Sequence, residues 1–561
     1  MSPRTRARSR ALVALCWGAL TACGGDDGSA SGTESNSASG TGGTIAAEDV
    51  TASDDEGCGD LLSCAGDCVD PQSDVEHCGG CDAPCLSGLA CIEGACAIVC
   101  GELDLCGGDC VDTQSDAAHC GGCDTPCQSG QPCLSGQCVP VCDDGTITCG
   151  VTCVDPSNDE AHCGDCDSPC EAGQPCAFGE CVDAAVHHVL ITGQSLSVGA
   201  TSIVVSTEQP YDNVSFNTGV RAGGTNLTAF IPLVETQGGS EGETIASGMA
   251  NLATELAEAA GYPGRVTLAS ANGVGGLAYS ALAQGTAPYA NGLAQVTAGV
   301  TVATEQGLTA YVAAVANVHG ETDHVTGNVD YEANLLEWQA NYQLDVQAIT
   351  GQTAPVPMFV CQMSSQTAYG STTSLIPSAQ LAASRSAPGR IFVVGPKYFL
   401  TYTDGVHISG ESERHLGEYY AKAMDQVLVG GQPWVPLSPR EVARKGAEIR
   451  VAMHVPAPPL VLDEVAVSNP GNYGFTYTDD SGAPPAIASI ALEGEDTVVI
   501  SLDAVPTGGN QRIQYAHVGV GGQPGGPMTG ARGNLRDSDA TPSRHGYDLA
   551  NWCVHFDEPV P

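Results

Sequence analysis

The chain is poor in basic residues. Among its 561 residues are 19 Lys and Arg against 65 Asp and Glu, a formal net charge of −46. Nucleic acid and anionic membrane surfaces repel such a chain, so we expect no nucleic-acid partner. The sequence also lacks any run of about 18 apolar residues, so no transmembrane helix is predicted. Its length exceeds what one core fills, which predicts two to four domains.

The amino terminus has the pattern of an export signal. A basic region holding Arg4, Arg6, Arg8 and Arg10 precedes the short apolar stretch 11–20. Leu20-Thr21-Ala22-Cys23-Gly24 follows and resembles the bacterial lipobox, in which the cysteine becomes the lipidated terminus of the mature protein. We predict a lipoprotein signal peptide over 1–22, lipidation at Cys23 and an outer-membrane or cell-surface location. The alternative is an ordinary cleaved signal of a secreted protein with an incidental cysteine.

Residues 23–57 have the composition of a tether. They are mostly Gly, Ser, Thr, Asp and Glu, and cannot bury enough apolar surface to fold. We predict a flexible linker with a reach of roughly 30 Å.

Cysteine is concentrated in one region. Of 28 cysteines, 24 lie between Cys58 and Cys181, in three repeats of eight with a recurring spacing. In an exported chain this pattern over 58–182 predicts four disulfides per repeat, which replace a hydrophobic core. The connectivity cannot be derived, since eight cysteines allow 105 pairings.

Zinc is the alternative for these repeats. His77-Cys78-Gly79-Gly80-Cys81, with copies at His119 and His162, has the Cys-x-x-Cys spacing of zinc ligands. An oxidising compartment and an even cysteine count favour disulfides. The repeats resemble cysteine-rich repeats of bacterial surface proteins, which suggests a stalk or an adhesion module.

From residue 185 the pattern becomes that of an α/β domain. Short apolar runs at 189–192, 265–270, 311–318, 358–363 and 391–394 predict buried parallel strands. Helical patterns lie between them at 244–260 and 331–349, and another begins near Glu411. We predict a doubly wound parallel sheet over 185–430, with its functional site at the carboxyl ends of the strands.

Polar motifs follow four of these strands. They are Gly193-Gln194-Ser195, Asn272-Gly273-Val274-Gly275-Gly276, His319-Gly320-Glu321-Thr322-Asp323 and Asp404-Gly405-Val406-His407. A serine on a strand-to-loop turn and a later Asp-x-x-His can form a Ser-His-Asp triad, which performs acyl transfer. Taken singly, the serine could form a turn, Asp404 could cap a helix, and His319 and Glu321 could be structural.

These motifs resemble the SGNH (GDSL-like) hydrolases, a family with a flavodoxin-like fold. The nearer match is the branch of sialate O-acetylesterases and acetylxylan esterases. The resemblance implies that Ser195 is the nucleophile, His407 the general base and Asp404 its orienting partner. It places the oxyanion hole at the backbone N–H groups of Ser195 and Gly275, or alternatively Gly276.

Two positions depart from the family pattern beside the expected chemistry. His319 stands where the nearer branch often has Gln, and a neutral imidazole N–H there could donate to the oxyanion. Leu196 replaces the Asn that commonly follows the serine. Glu321 is a possible supporting residue. The substrate is therefore less defined than the reaction class.

Other site types have little support. The α/β-hydrolase elbow Gly-x-Ser-x-Gly is not met, because position 197 is serine. His187 and His188 could be metal ligands, but no carboxylate spacing accompanies them. We predict no metal and no cofactor.

The carboxyl-terminal region, 432–561, has a β pattern. Alternating residues from Ile449 to Val455 and further runs at 487–492, 497–502 and 512–520 predict a small β-sandwich. It either binds glycan through exposed aromatics or packs on the hydrolase, which we favour. Cys361 and Cys553 could form a disulfide, although Cys361 in a core strand fits a buried thiol better.

Together these features predict a surface-anchored serine esterase that removes acetyl or other short acyl groups from carbohydrate through an acyl-enzyme. A lipase or general carboxylesterase is one alternative, and a non-catalytic glycan-binding adhesin is another.

Overall fold

A computed structural model describes most of the chain after residue 57. The described residues are 58–128, 130–142, 146–150, 152–156, 159, 161–170, 176–177, 179–181, 185–262 and 264–561. The predicted signal peptide, Cys23 and the linker lie outside them. No helix among the described residues is long and apolar enough to cross a membrane. The chain forms two compact units, one ending at Val99 and the other beginning at Cys100.

All three repeats have the same four disulfides, which confirms the predicted number. Their eight cysteines pair first with third, second with fifth, fourth with seventh, and sixth with eighth. In the first repeat the pairs are Cys58–Cys68, Cys64–Cys81, Cys78–Cys91 and Cys85–Cys96. The other two repeats follow the same order.

Each repeat also contains two short antiparallel hairpins. Their strands are Leu62–Cys64 with Asp67–Val69, Ala90–Ile92 with Ala95–Ala97, Asp104–Cys106 with Asp109–Val111, Cys133–Leu134 with Gln137–Cys138, Ile147–Cys149 with Thr152–Val154, and Cys176–Ala177 with Glu180–Cys181. Strands of two or three residues bury little apolar surface, so the disulfides hold these repeats together.

The zinc alternative has no free cysteine ligand in the described repeats. The cysteine groups close enough to share a metal are all consumed by disulfides. The histidines are structural, since Nδ1 of His77 accepts from the Asp82 backbone N–H over 3.0 Å. Nδ1 of His119 does the same with Asp124 over 3.1 Å.

The second unit contains a seven-stranded mixed sheet. Its strands are β1 (Ala185–Gly193), β2 (Val214–Phe216), β3 (Phe230–Pro232), β4 (Val266–Ala271), β5 (Thr309–Val318), β6 (Met358–Gln362) and β7 (Ile391–Pro396). The order across the sheet is β3-β2-β4-β1-β5-β6-β7, and only the edge pair β2–β3 is antiparallel. The chain winds outward in both directions from β1, so a crevice is expected where β1 and β5 end.

Helices cover both faces of the sheet. They are α1 (Ile245–Ala259), α2 (Tyr279–Leu282), α3 (Ala287–Glu305), α4 (Glu321–Thr326), α5 (Tyr331–Thr350), α6 (Ile376–Ser386) and α7 (Gly410–Leu428). α1 and α7 share a hydrophobic cluster with Ile191, whereas α3, α5 and α6 share another with Leu190. The side chains of adjacent β1 residues thus point to opposite faces of the sheet, as the two-residue period of a strand requires.

The sequence patterns missed four helices and two strands of this domain. α3 lacks a clear apolar stripe because Gly292 and Gly299 bring it close to the sheet, where a Cβ on Gly292 would lie 2.5 Å from Asn272 Nδ2. β2 and β3 have three residues each, too few to show a period. α2, α4 and α6 were also not predicted.

The carboxyl-terminal region forms antiparallel sheets. One has the order β8-β9-β13-β12, another β11-β14-β16, and β10 pairs with β15. The strands are β8 (Ser438–Lys445), β9 (Glu448–His454), β10 (Val461–Leu462), β11 (Phe475–Thr478), β12 (Ile487–Glu493), β13 (Thr497–Leu502), β14 (Arg512–Tyr515), β15 (Leu535–Arg536) and β16 (Phe556–Pro559). The strand predicted over 512–520 is too long, because Ala516 adopts φ +48° and turns the chain away.

This region packs directly on the α/β domain. Both larger sheets and the α/β-domain residues Tyr398 and Tyr419 belong to one hydrophobic cluster. The Trp552 ring stacks on Phe399 with centroids 5.6 Å apart and is 4% exposed, so it does not face solvent as a glycan platform would. Cys361 and Cys553 are both buried free thiols, so the alternative disulfide between them does not form.

Candidate active site

Ser195 lies where the central strand ends. Gly193 closes β1 at φ +134°, and a Cβ there would lie 2.1 Å from the Val318 carbonyl oxygen. Only glycine therefore lets β1 pass this close to the end of β5. The chain then enters a 3-10 turn, Ser195–Val198, which leaves the serine half-buried at the carboxyl edge of the sheet.

The structure brings Ser195, His407 and Asp404 into hydrogen-bonding contact. His407 Nε2 lies 2.8 Å from Ser195 Oγ, and His407 Nδ1 lies 2.7 Å from Asp404 Oδ2. The serine and histidine are 212 residues apart in the chain. This is the order of contacts in which a carboxylate orients an imidazole that can deprotonate a serine.

A tight loop after β7 holds the Asp404 carboxylate. Its Oδ1 accepts the backbone N–H groups of Val406 at 3.0 Å and His407 at 2.8 Å. Partial burial alone would raise the pKa of Asp404, but hydrogen bonds from the His407 backbone, the His407 ring and the Val406 N–H outweigh it and leave the pKa below its ordinary value. The carboxylate thus stays ionised, and exposure of 44% of its side chain to water favours the same charged form.

The glycine loop after β4 passes beside the serine. The Asn272 N–H donates to the Ile191 carbonyl over 3.0 Å, and the Val274 N–H to the Gly193 carbonyl over 3.1 Å. A Cβ built on Gly275 would lie 3.6 Å from Ser195 Cβ, so Gly275 is next to the serine. A Cβ on Gly276 would meet nothing within 4 Å. The placement suits the oxyanion role expected of Gly275 better than that of Gly276, and both roles stay predictions.

The expected role of His319 as an oxyanion donor does not fit its contacts, because both of its ring nitrogens are engaged within the protein. Nε2 lies 3.1 Å from the Leu277 carbonyl oxygen, which can only accept, so Nε2 carries the proton. Nδ1 then accepts from the Tyr331 hydroxyl over 2.8 Å. Burial lowers the pKa of His319 and keeps the ring neutral. His319 therefore supports the segment after Gly275 and has no free N–H for an oxyanion.

Glu321 belongs to a buried ion pair that the sequence did not reveal. Its Oε1 lies 2.9 Å from Lys397 Nζ, and neither side chain is exposed to solvent. Burial raises the pKa of Glu321, but the Lys397 ammonium outweighs this and lowers it. Removing one partner of such a pair costs about 3–5 kcal/mol. The sequence offered one indication of this pair: Lys397 directly follows a buried strand in a chain that has few basic residues.

This ion pair lies beneath the turn that carries the serine. Glu321 begins α4, and the Thr322 N–H next to it donates to Gln194 Oε1 over 3.2 Å. Gln194 directly precedes Ser195. Glu321 thus supports the site through the backbone rather than by direct contact with the reacting atoms.

A carboxyl-terminal segment, 519–525, also reaches the site. The Gly525 N–H donates over 2.9 Å to the Gly405 carbonyl, in the loop between Asp404 and His407, and the Gly522 N–H donates over 2.7 Å to the Thr367 carbonyl after β6. No motif marked this segment as part of the site. Its Gly/Pro-rich composition is nevertheless typical of closely packed backbone.

His187 and His188 are structural residues rather than metal ligands. Nδ1 of His187 lies 2.6 Å from the Tyr311 hydroxyl, and Nε2 of His188 lies 2.8 Å from Ser270 Oγ. Burial lowers the pKa of His188 to about 3.

Comparison with known proteins gives matches of limited extent. A profile of the stigma-specific STIG1-like protein family matches residues 135–184, at the end of the cysteine repeats. No curated protein sequence matches the chain.

Several solved structures are similar to parts of the chain. A carbohydrate acetylesterase from Xanthomonas citri has 15% identity and a TM-score of 0.42, over 66% of this chain and 80% of its own. A carbohydrate acetylesterase from Sinorhizobium meliloti has 13% identity and a TM-score of 0.25, over 43% and 100%. A family two carbohydrate esterase from Clostridium thermocellum has 13% identity and a TM-score of 0.24, over 46% and 69%. Likenesses this distant do not assign an activity.

Proposed function

We propose that this protein is a serine esterase that removes acetyl or other short acyl groups from carbohydrate. One observation carries the proposal: His407 Nε2 lies 2.8 Å from Ser195 Oγ, while its other nitrogen lies 2.7 Å from the Asp404 carboxylate. A glycan-binding adhesin would not need a nucleophile, a base and an orienting carboxylate in this order.

The first half-reaction transfers the acyl group to the serine. His407 takes the proton from Ser195 Oγ as the oxygen attacks the ester carbonyl carbon. The negative charge on the tetrahedral intermediate is placed at the Ser195 and Gly275 backbone N–H groups. The C–O bond to the sugar then breaks, and the His407 imidazolium gives its proton to the departing sugar oxygen.

The second half-reaction releases the acid. Water enters the space left by the sugar, and His407 removes its proton as the water oxygen attacks the acyl-enzyme carbonyl. The Ser195 oxygen leaves and is reprotonated by His407. Asp404 stabilises the imidazolium in both halves and keeps the ring oriented.

Carbohydrate is the proposed substrate because four sequence blocks, at 193–195, 272–276, 319–323 and 404–407, resemble the acetylesterase branch described above. An export signal with Cys23 at its end supports anchoring by lipid at the cell surface. Metabolic labelling with an alkyne fatty acid tests the anchor: label on the wild type that is absent from Cys23→Ser is expected, and equal labelling of both would contradict it.

The activity is tested on the folded protein beginning at residue 58. Hydrolysis of p-nitrophenyl acetate and release of acetate from acetylated xylo-oligosaccharide are measured for the wild type and Ser195→Ala. We expect both activities in the wild type and neither in the variant. Ser489→Ala is the control, since Ser489 is an exposed serine of β12 in the carboxyl-terminal region. No turnover by the wild type would contradict the proposal.

A further inference from the structure

A small cleft lies one short helix away from the nucleophile. It has a volume of about 180 Å³ and lies between the end of α4 and the segment before α6, lined in part by His324, Asn328, Thr373, Ser374 and Leu375. The volume is below the roughly 300–1,000 Å³ of sites for drug-sized ligands, so one small ring is the fitting occupant. Hydroxyl, amide and imidazole groups line it, and these groups recognise sugar hydroxyls.

An exposed tyrosine stands at the edge of this cleft. Tyr369, in the 3-10 turn Gln366–Tyr369, is 41% exposed and is the one exposed aromatic side chain among the described residues. Its ring centroid lies 6.0 Å from that of His324. Nε2 of His324 is buried and has no hydrogen-bond partner among the described residues. An exposed aromatic ring beside the polar side chains that line the cleft suits a pyranose ring.

The cleft is close enough to Ser195 to bind the sugar that carries the ester. α4 begins at Glu321, beside the Thr322 N–H that bonds Gln194, and has six residues. A helix of that length spans about 9 Å. Burial and the Glu321 and Asp404 carboxylates together raise the pKa of Tyr369 to about 12, which agrees with a tyrosine near the catalytic loop.

The charges around the cleft select against anionic sugars. The side chains that line it include Asp323 and no Lys or Arg. Asp404 is ionised nearby, and Lys397 is fully buried against Glu321. The carboxylate of an acidic sugar would be repelled by these charges and would find no cationic partner among the lining side chains. A neutral sugar carries no charge and would not be repelled.

We propose that the Tyr369–His324 cleft is a binding site for the neutral sugar ring next to the scissile ester. The inference rests on the proposed esterase function and names its substrate class. The sugar ring lies on the face of Tyr369, and its hydroxyls bond the polar side chains that line the cleft.

The test compares a substrate with a sugar and a substrate without one. Steady-state kinetics are measured on acetylated xylo-oligosaccharide, on O-acetylated sialic acid and on p-nitrophenyl acetate for the wild type, Tyr369→Ala and Tyr369→Phe. Leu344→Ala is the control, because Leu344 is an exposed side chain of α5. Thermal melting shows that each variant is folded.

We expect Tyr369→Ala to raise KM for the xylo-oligosaccharide about tenfold and to leave p-nitrophenyl acetate turnover within about twofold. Tyr369→Phe, which keeps the ring, should match the wild type. Sialic acid should be the poorer sugar substrate of the wild type.

Different results would overturn different parts. If the wild type cleaves acetylated xylo-oligosaccharide but Tyr369→Ala has the KM of Leu344→Ala, the sugar site is wrong and the esterase stands. Equal loss on both substrates would also contradict the sugar site. Faster turnover of O-acetylated sialic acid than of acetylated xylo-oligosaccharide by the wild type would contradict the preference of the cleft for neutral sugars. A wild type that cleaves p-nitrophenyl acetate and no acetylated sugar would contradict both the site and the carbohydrate function.

Discussion

The backbone N–H of Gly525 donates to the carbonyl oxygen of Gly405 over 2.9 Å, which joins the carboxyl-terminal region to the loop between Asp404 and His407. Gly405 adopts φ +88°, and a Cβ on it would lie 3.1 Å from Pro524 Cα. The tip of the catalytic loop is therefore fixed from outside the hydrolase sheet. The carboxyl-terminal region thus holds the loop that carries His407, the base of the proposed mechanism.

Disturbing this contact should reduce turnover without unfolding the protein. A Cβ added by Gly525→Ala would lie 3.0 Å from Tyr402 Cε1 and 3.2 Å from the Gly405 carbonyl oxygen, so the contact with the loop that carries His407 must loosen by a few tenths of an ångström. Because small misplacements of catalytic groups cost up to roughly 100-fold, we expect kcat on p-nitrophenyl acetate to fall about tenfold or more.

Pro524→Ala should give a smaller loss in the same direction. Pro484→Ala, in an exposed loop of the same region, is the control and should keep the wild-type kcat. Melting temperatures measured beside the kinetics separate positioning from folding. A Gly525→Ala protein as active as Pro484→Ala would show that the contact does not position the base.

Replacing Asp404 tests the orienting carboxylate. Asp404→Asn removes the charge that stabilises the His407 imidazolium, and we expect kcat/KM on p-nitrophenyl acetate to fall about 100-fold or more. Asp212→Asn, at an exposed position, serves as the charge-matched control. If Asp404→Asn were as active as Asp212→Asn, Asp404 would have no role in the proposed mechanism.

The buried carboxyl of Glu235 should make stability fall at higher pH. Burial and the Glu243 carboxylate raise its pKa from 4.5 to about 8. Between these values the folded state binds more protons than the unfolded state, so its contribution to stability declines as the pH rises. Glu235→Gln should melt at a higher temperature than the wild type at pH 8, with a difference that shrinks towards pH 5.

Glu305→Gln, an exposed substitution on α3, controls for the loss of one charge. Melting curves of all three proteins across pH 5–8 give the comparison. A constant difference between the wild type and Glu235→Gln would contradict the raised pKa.

The disulfide pattern predicts which thiols can react. The protein beginning at residue 58, denatured without reductant, should titrate two thiols, Cys361 and Cys553. Because the twelve disulfides of the described residues lie between Cys58 and Cys181, mild reduction should leave p-nitrophenyl acetate hydrolysis unchanged. Thiols from the repeats in the unreduced protein, or loss of hydrolysis on reduction, would contradict these assignments.

Much of the α/β fold could be predicted because its central strands are fully buried. Runs such as 391–394 are apolar throughout, and parallel strands place the residues that follow them on one edge. That argument predicted Ser195, Asp404 and His407 as neighbours. The number of disulfides could be predicted from the cysteine count and the oxidising compartment expected for an exported chain. The pairing could not, because it depends on distances between cysteines in the folded repeat, which the spacing along the sequence does not give.

The missed features depend on contacts between distant segments. The Glu321–Lys397 pair joins residues 76 apart, and the role expected for His319 failed because Tyr331 and Leu277 occupy its nitrogens. Nothing local to these residues specifies such partners. The Gly525–Gly405 bond uses only backbone atoms, so side-chain identity carried little information about it.

Covalent labelling of Ser195 is the most direct test of the serine esterase account. The folded protein is treated with a fluorophosphonate, and labelled peptides are mapped by mass spectrometry in the wild type, Ser195→Ala and His407→Ala. The account predicts one label per chain, on Ser195, absent from Ser195→Ala and formed much more slowly in His407→Ala. An unlabelled wild type, or a label formed equally fast without His407, would contradict it.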